Sequence, residues 1–218
     1  MKKYEFTGEV KNIGGVTLHR IRALIDIPEH DVKAGDLGGW IEAESNLSQK
    51  GAAWVTGSAC VTGKAWVTDS ALVTDSALVT GEAWVTVKAC VTDSACVTGK
   101  ACVTDSACVT DSAWVTGKAW VTGEALVTGS ARVIGNAWVS GNARIMKSSD
   151  CITIGAIGSR NDTTTFYRGA DGKIYVSCGC FNGSIDDFAS KVKAVHAGTK
   201  HEKTYLLAIE LAKAQIET

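Results

Sequence analysis

The residues with the clearest binding chemistry lie near the C-terminal end of the chain. The segment 158–163, GSRNDT, is rich in hydrogen-bond donors, and the guanidinium of Arg160 can form a forked pair of hydrogen bonds with a phosphate. The candidate ligand-binding residues share such donor groups: they are Ser159, Arg160, Asn161, Lys173, His196 and His201. This set predicts a site for a small anionic ligand. An ordinary polar turn with a surface arginine is the alternative that the pattern favours.

Thiols and imidazoles are the other reactive groups in this region. Cys178 and Cys180 flank a single glycine, with Cys151, His196 and His201 as possible neighbours. Structural zinc sites usually have four ligands and cysteine pairs separated by two to four residues, so this pattern is a weak zinc signal. A nucleophilic pair of Cys178 and His196 lacks an orienting partner and oxyanion donors. We therefore predict no metal, no cofactor and no catalytic residue, and an enzyme acting through this region stays open as an alternative.

An internal repeat dominates the chain upstream of these residues. From Ala53 onward there are sixteen hexapeptides of the form A-x-V-T plus two turn residues, with no inserted residue. Alternate side chains of a strand point to opposite faces. The alanine and valine of each repeat are therefore expected to point inward, while the x residue and the threonine point outward.

The turn residues show that three hexapeptides make one coil. Glycines recur every eighteen residues at Gly63, Gly81, Gly99, Gly117 and Gly135, and serines recur at Ser58, Ser76, Ser94, Ser112 and Ser130. Glycine adopts positive φ without strain, so one corner of each coil is expected to demand that conformation. The pattern predicts an all-β fold, a left-handed parallel β-helix with 18 residues per coil and coils about 4.8 Å apart.

The outward x residues sort into three columns, one for each face of this prism. The third column consists of Trp66, Trp84, Cys102, Trp120 and Trp138. An apolar strip of this kind is unusual on a soluble monomer, and tryptophans often anchor interfaces. We predict that Trp66, Trp84, Trp120 and Trp138 form a partner interface, most simply in a homo-oligomer, a trimer or a dimer. Chance sorting of duplicated repeats and stacking of sugars on the tryptophans are the alternatives.

The repeat needs a cap at each end, and the flanking sequences predict both. Residues 1–35 are expected to form a β-hairpin cap, and residues 36–148 the left-handed β-helix, with an imperfect first coil and a bulge near Gly51. Residues 149–218 are expected to form a small α+β module of three strands and two helices. Ser184 and Thr199 are the predicted N-caps of those helices. The apolar stripe of the second helix is Tyr205, Ala208, Ile209, Ala212 and Ile216.

Two segments carry a resemblance to known proteins. They are VKAGDLGGWIEAESNLSQKG, followed by A-x-V-x-G repeats, and the tail GSRNDTTTFYRGADGKIYVSCGCFNGSIDDFASKVKAVHA. Both are similar to hexapeptide-repeat left-handed β-helix proteins of unassigned function, many of them encoded by phages or prophages. The resemblance implies a left-handed β-helix and a phage origin, and it brings no established activity.

Enzymes with a similar hexapeptide pattern provide a useful contrast. The acyltransferases resemble one another in using a histidine base and a loop that protrudes from a coil, and the γ-type carbonic anhydrases bind zinc through histidines of the coils. The repeats of this chain contain no histidine and no loop insertion. This difference favours a binding or scaffolding role, since a shared fold does not confer function.

Charge and the N-terminal sequence limit which partners and which compartment are expected. The chain has 22 lysines and arginines against 23 aspartates and glutamates, a formal net charge of -1, which gives no electrostatic case for nucleic acid or an anionic membrane. The N-terminal sequence has no apolar run of the signal-peptide kind, so a cytoplasmic protein is expected, in a host cytoplasm if it is phage-encoded.

The sequence thus predicts a non-catalytic, self-associating scaffold that presents a C-terminal recognition module. A phage counter-defence sponge that sequesters a host nucleotide signal is the sharper alternative.

Overall fold

The structure, a computed structural model that describes residues 2–216, begins with three strands. β1 (Tyr4–Ile13) and β2 (Val16–Ala23) form an antiparallel hairpin, as the sequence predicts. β3 (Leu37–Ile41) pairs antiparallel with β2 on one side and parallel with the strand of Cys60 on the other. Single 3-10 turns lie at Pro28–His30 and Glu44–Asn46. The hairpin therefore continues one sheet of the repeat region instead of leaving its edge open.

Each hexapeptide contributes one short strand, formed by its x residue and its valine or isoleucine. In chain order, strands β4 to β19 are Trp54–Val55, Cys60–Val61, Trp66–Val67, Leu72–Val73, Leu78–Val79, Trp84–Val85, Cys90–Val91, Cys96–Val97, Cys102–Val103, Cys108–Val109, Trp114–Val115, Trp120–Val121, Leu126–Val127, Arg132–Val133, Trp138–Val139 and Arg144–Ile145. Because every third strand lies on the same side, the strands build a solenoid with three sheets.

The sheets are parallel and in register. Their strand orders are β3-β5-β8-β11-β14-β17, β4-β7-β10-β13-β16-β19 and β6-β9-β12-β15-β18. The chain is a β-solenoid of about six turns with 18 residues per coil, which confirms the predicted fold class, while the left-handed sense of the coil stays a prediction. Leu47 pairs with Val67, twenty residues later, so the irregular first coil holds the two extra residues expected near Gly51.

The solenoid core consists of the alanine and valine columns. The alanine and valine of each regular coil are almost completely buried, and they form one continuous cluster from end to end. Trp54 takes the outward position expected of an x residue, in register with Leu72, yet it is not exposed to solvent. That side chain is fully buried and lies edge-on to Tyr4 of β1, with ring centroids 6.4 Å apart, because the N-terminal strands cover it.

All three corners of the coil contain residues with positive φ, so the prediction that one corner demands this conformation is too narrow. Besides the glycines, Asp93 and Asp111 have φ of 57° and Val87 has φ of 63°. The aspartates have a compensating role, because their carboxylates accept hydrogen bonds from the next coil. Asp93 accepts from the Thr110 hydroxyl, and Asp111 accepts from the Gly129 N–H at 3.1 Å. The hydrogen bond from Thr110 lowers the pKa of Asp93, and those from the Thr128 hydroxyl and the Gly129 N–H lower the pKa of Asp111. These bonds fasten successive corners together.

The C-terminal module combines one antiparallel sheet with two helices. Its strands are β20 (Cys151–Ile157), β21 (Asp162–Arg168), β22 (Ile174–Cys178) and β23 (Phe181–Ser184), and its helices are α1 (Ile185–His196) and α2 (Lys200–Ile216). The predicted number of three strands is wrong. Gly179, with φ of 59°, reverses the chain so that Phe181 pairs with Cys178 and a fourth strand returns along β22.

The helix signals of the sequence are confirmed. The Ser184 hydroxyl accepts a hydrogen bond from the Asp187 N–H at 3.1 Å, and the Thr199 hydroxyl accepts one from the Glu202 N–H at 3.3 Å. The buried residues of α2 are those of the predicted stripe, Tyr205, Ala208, Ile209, Ala212 and Ile216. Both helices therefore pack on the sheet through the faces that their apolar periodicity indicates.

The module closes the far end of the solenoid. Buried Asp150, in the 3-10 turn Ser148–Asp150, accepts hydrogen bonds from the N–H groups of Met146 and Lys147 at 3.0 and 3.1 Å. Its other carboxylate oxygen pairs with Arg168 of β21 at 3.2 Å. Tyr167, 2 % exposed, belongs to the solenoid core cluster. The last coil is thus covered by β21, as the first is covered by the hairpin.

Alanine substitutions in the glycine column test how tightly the coils stack. A Cβ atom on Gly117 would lie 2.8 Å from the carbonyl oxygen of Gly135, whereas a Cβ atom on Gly135 would meet nothing within 4 Å, although the two φ angles are +80° and +70°. Both substitutions incur the strain of a left-handed alanine, about 1–2 kcal/mol. Gly117→Ala adds the clash, an extra ~1–3 kcal/mol. Thermal unfolding should show a clearly lower Tm for Gly117→Ala, and equal Tm values would contradict the stacking account.

Candidate functional site

Four of the tryptophans lie on one flat sheet and are substantially exposed. Trp66, Trp84, Trp120 and Trp138 occupy the outward positions of β6, β9, β15 and β18, and their side chains are 38 %, 51 %, 48 % and 46 % exposed. We call this surface, together with Cys102 of β12, the tryptophan face. The register pairs Trp66 with Trp84 and Trp120 with Trp138, as the eighteen-residue spacing predicts. The ring centroids within these pairs are 5.6 and 6.0 Å apart.

Cys102 interrupts the row at its centre and creates a notch. The thiol pairs in register with Trp84 on one side and Trp120 on the other, and it is only 9 % exposed. The notch has a volume of about 310 Å³, and the ion pair of Glu82 and Lys100, 3.0 Å apart, lies on its rim. The hydrogen bond and charge of Lys100 lower the pKa of the Glu82 carboxyl. The notch is therefore an apolar slot between two indole rings, and the opposite charges of Glu82 and Lys100 on its rim balance each other.

The threonines beside the tryptophans have their own hydrogen-bond partners. The hydroxyls of Thr86 and Thr122 donate to the carboxylates of Asp69 and Asp105 in the preceding coil. Ser140, at the end of the same column, is buried against the module by a contact of 3.0 Å to the Tyr167 hydroxyl. These hydroxyls hold coils together and dock the module, so the indole rings are the main groups that the face offers to another molecule.

The predicted anion-binding residues are only partly brought together. Ser159, Arg160 and His196 line one pocket of about 130 Å³, and the His201 ring lies 5.9 Å from the His196 ring. Asn161 is exposed on the turn, with φ of 50°. Lys173 lies at the opposite end of β22, where its ammonium is 3.8 Å from Asp171. The structure therefore places Lys173 away from the rest of the proposed set.

The pocket also contains residues that the sequence did not single out for ligand binding. Lys191 of α1 lines it, with its ammonium 5.5 Å from the Phe181 ring, and Tyr205 of α2 forms part of its wall. Burial raises the pKa of the Tyr205 hydroxyl to about 12, and this hydroxyl also hydrogen-bonds to Ser159. None of the described residues that line the pocket is acidic. We call it the basic pocket; Lys191 escaped detection because its position depends on how α1 packs on β23.

A larger cleft of about 590 Å³ lies where the last coil meets the module. It is lined by Ser140, Gly141, Asn142, Ala143, Tyr167, Ala170, Asp171, Tyr175, Asn182 and Gly183. At its base the Tyr167 hydroxyl contacts the hydroxyl of Ser140 and donates to the amide oxygen of Asn182 at 3.2 Å. At its rim the Tyr175 hydroxyl donates to Asp171 at 3.1 Å, which raises the pKa of Tyr175. This junction cleft has hydroxyl, amide and carboxylate groups in its walls and lacks a lysine or arginine among its described lining residues. No motif of the sequence indicated it, because its walls come from separate segments.

Within residues 2–216, no group of three or more histidine, cysteine, aspartate or glutamate side chains is arranged to hold a metal ion. Neither helix of the described region combines the length and apolarity needed to cross a bilayer.

Known proteins give no further guide to the site. No protein-family model and no curated protein matches this chain.

Proposed function

We propose that this chain is a non-catalytic scaffold that self-associates through the tryptophan face and presents its C-terminal module for recognition. The observation that carries the proposal is the row of four half-exposed indoles on one flat ladder. An apolar strip of this kind typically marks an interaction site. Tryptophan is also the residue most enriched among the energetically dominant positions of protein interfaces.

The exposed indoles provide an apolar driving force for association. About 100 Å² of each of these indoles faces solvent, if a tryptophan buries roughly 150–250 Å² when fully covered. Covering four of them removes roughly 400 Å² of apolar surface from water on each subunit, which is favourable. This gain must offset about 4–15 kcal/mol of lost rigid-body freedom together with side-chain ordering and polar desolvation, so the well-packed indoles matter more than the area alone.

The geometry of the row favours a second copy of this chain as the occupant. The indoles repeat at the coil spacing, about 4.8 Å, and another copy presents side chains with the same period. The order Trp66, Trp84, Cys102, Trp120, Trp138 also reads the same in both directions, which suits an isologous interface in which each patch meets itself. A two-fold axis at Cys102 would place the two notches opposite each other and set the tryptophans of one copy against those of the other.

The molar mass in solution tests this proposal. Light scattering on a sizing column should show a wild-type oligomer, while Trp84→Ser/Trp120→Ser should elute as a monomer because the notch has lost both walls. The matched control is Trp114→Ser on the neighbouring sheet, which removes an equally exposed indole, 46 %, from a different face. This variant should keep the wild-type mass.

Two results would overturn the proposal. One is a monomeric wild type at every concentration, which would leave sugars or another partner as occupants of the face. The other is dissociation of Trp114→Ser to the same extent as the double variant, which would show that the association does not depend on the tryptophan face.

A second candidate function, recognition of a small anion, is favoured by the basic pocket. Arg160, Lys191 and His196 converge there with no acidic residue among the described lining. A volume of about 130 Å³ suits a phosphate group rather than a whole nucleotide, whose base would lie outside. Binding of a nucleotide signal through its phosphate would give the chain a sequestering role.

Calorimetric titration with inorganic phosphate and with adenosine monophosphate tests the second candidate. Arg160→Gln removes the forked donor, so affinity should fall about 10- to 100-fold, the worth of a charge-assisted hydrogen bond. Lys173→Gln removes one positive charge outside the pocket and should bind as the wild type does. Absence of binding to the wild type, or equal losses in the two variants, would argue against a phosphate site in the basic pocket.

A further inference from the structure

Two cysteines occupy equivalent positions in neighbouring coils on a different face from the tryptophans. Cys90 of β10 and Cys108 of β13 pair in register, with Leu72 and Leu126 next to them along the same sheet. Both thiols are partly exposed. We call Cys90 and Cys108 the thiol pair.

The spacing of the ladder disfavours a disulfide between these thiols. A disulfide needs Cβ atoms about 3.5–4.5 Å apart. In-register residues of adjacent parallel strands are separated by about 4.8 Å along the hydrogen-bond direction. The main chain cannot close this gap locally, because the Cys90 N–H is held by the Ala107 carbonyl at 2.9 Å and the Cys108 N–H by the Ala125 carbonyl at 2.8 Å.

The same spacing suits two thiolates on opposite sides of one metal ion. Two metal–sulfur bonds of about 2.3 Å in line separate the sulfurs by about 4.6 Å. That separation is close to the distance the ladder imposes, so neither strand has to move. Thiolates are soft ligands that select soft ions such as Cu(I). A linear site of this kind needs two ligands only, and the pair supplies both.

The electrostatic surroundings favour a cation. Asp75, Asp93 and Asp111 form a column at the neighbouring corner, and their charges act on the thiol pair. Metal binding displaces the proton of each thiol, because the thiolate is the form that binds a metal.

We propose that Cys90 and Cys108 together bind one soft monovalent metal ion of the Cu(I) type in two-coordinate geometry. Two sulfur–hydrogen bonds break, two sulfur–metal bonds form and two protons leave to solvent, with no change of oxidation state. Leu72 and Leu126 flank the bound ion along the sheet, and the carboxylate column contributes negative potential from one side.

The other cysteines of the repeats provide internal controls. Cys60 and Cys96 lie on one sheet, but both pair with Leu78 between them, which places them two strand spacings, about 9.6 Å, apart. Cys102 has tryptophan neighbours on both sides. Adjacent in-register cysteines therefore occur in the solenoid strands only at Cys90 and Cys108.

Anaerobic titration of the reduced full-length chain with Cu(I), in competition with bicinchoninate, tests the proposal, and native mass spectrometry counts the ions. The wild type should take one tightly held ion per chain. Cys108→Ser should weaken that binding by at least about 100-fold, since a single thiolate remains. The control Cys60→Ser/Cys96→Ser should bind as the wild type does, and unchanged thermal melting would show that each variant is folded.

A variant that gains a metal site tests whether binding depends on adjacent, in-register thiols or only on how many cysteines the chain has. Leu78→Cys places a thiol in register between Cys60 and Cys96 and should add one tightly held ion. The proposal is overturned if the wild type fails to compete with bicinchoninate, or if Cys108→Ser binds Cu(I) as well as the wild type. It is also overturned if mild oxidation joins Cys90 and Cys108 in an intramolecular disulfide, because the ladder then does not hold the sulfurs apart.

Discussion

Main-chain hydrogen bonds between successive coils hold this molecule together, and their register determines its surface. The Trp84 N–H donates to the Ala101 carbonyl at 2.9 Å, and equivalent bonds repeat along all three sheets. The inner columns of the sixteen repeats hold only alanine, valine and one isoleucine, so side-chain packing adds a thin core to this ladder. Because a slip in register would turn every valine outward, each outward residue is fixed in a column with one spacing. The tryptophan row and the thiol pair both result from this constraint.

A ladder of this kind also creates two open ends, and the rest of the chain covers them. The hairpin extends one sheet and buries Trp54, while β21 places Tyr167 against the last coil. The C-terminal module, which covers the far end, blocks the addition of further strands and also forms two candidate sites. Its docking forms the junction cleft, and the packing of α1 and α2 on its sheet forms the basic pocket. The sites that depend on tertiary packing therefore belong to the module, whereas those of the solenoid follow from its repeat.

This division explains how much of the molecule could be predicted from its sequence. The eighteen-residue period determines which residues share a face, so the column of Trp66, Trp84, Cys102, Trp120 and Trp138 was predicted correctly. Cap residues and apolar periodicity were equally informative for α1 and α2. The fourth strand was missed because a tight turn at Gly179 separates it from β22 by only two residues. Lys173 was misplaced and Lys191 overlooked, because nearness in the module depends on strand order and helix packing rather than on a repeat.

The central claim is that the indoles of the tryptophan face meet a second copy of the chain. Hydroxyl-radical footprinting at low and high protein concentration measures the exposure of each tryptophan directly. The account predicts that oxidation of Trp66, Trp84, Trp120 and Trp138 falls as concentration rises, while Trp114 on the neighbouring sheet stays equally reactive. If the oxidation of Trp66, Trp84, Trp120 and Trp138 stayed as constant with concentration as that of Trp114, the tryptophan face would not be the surface of association.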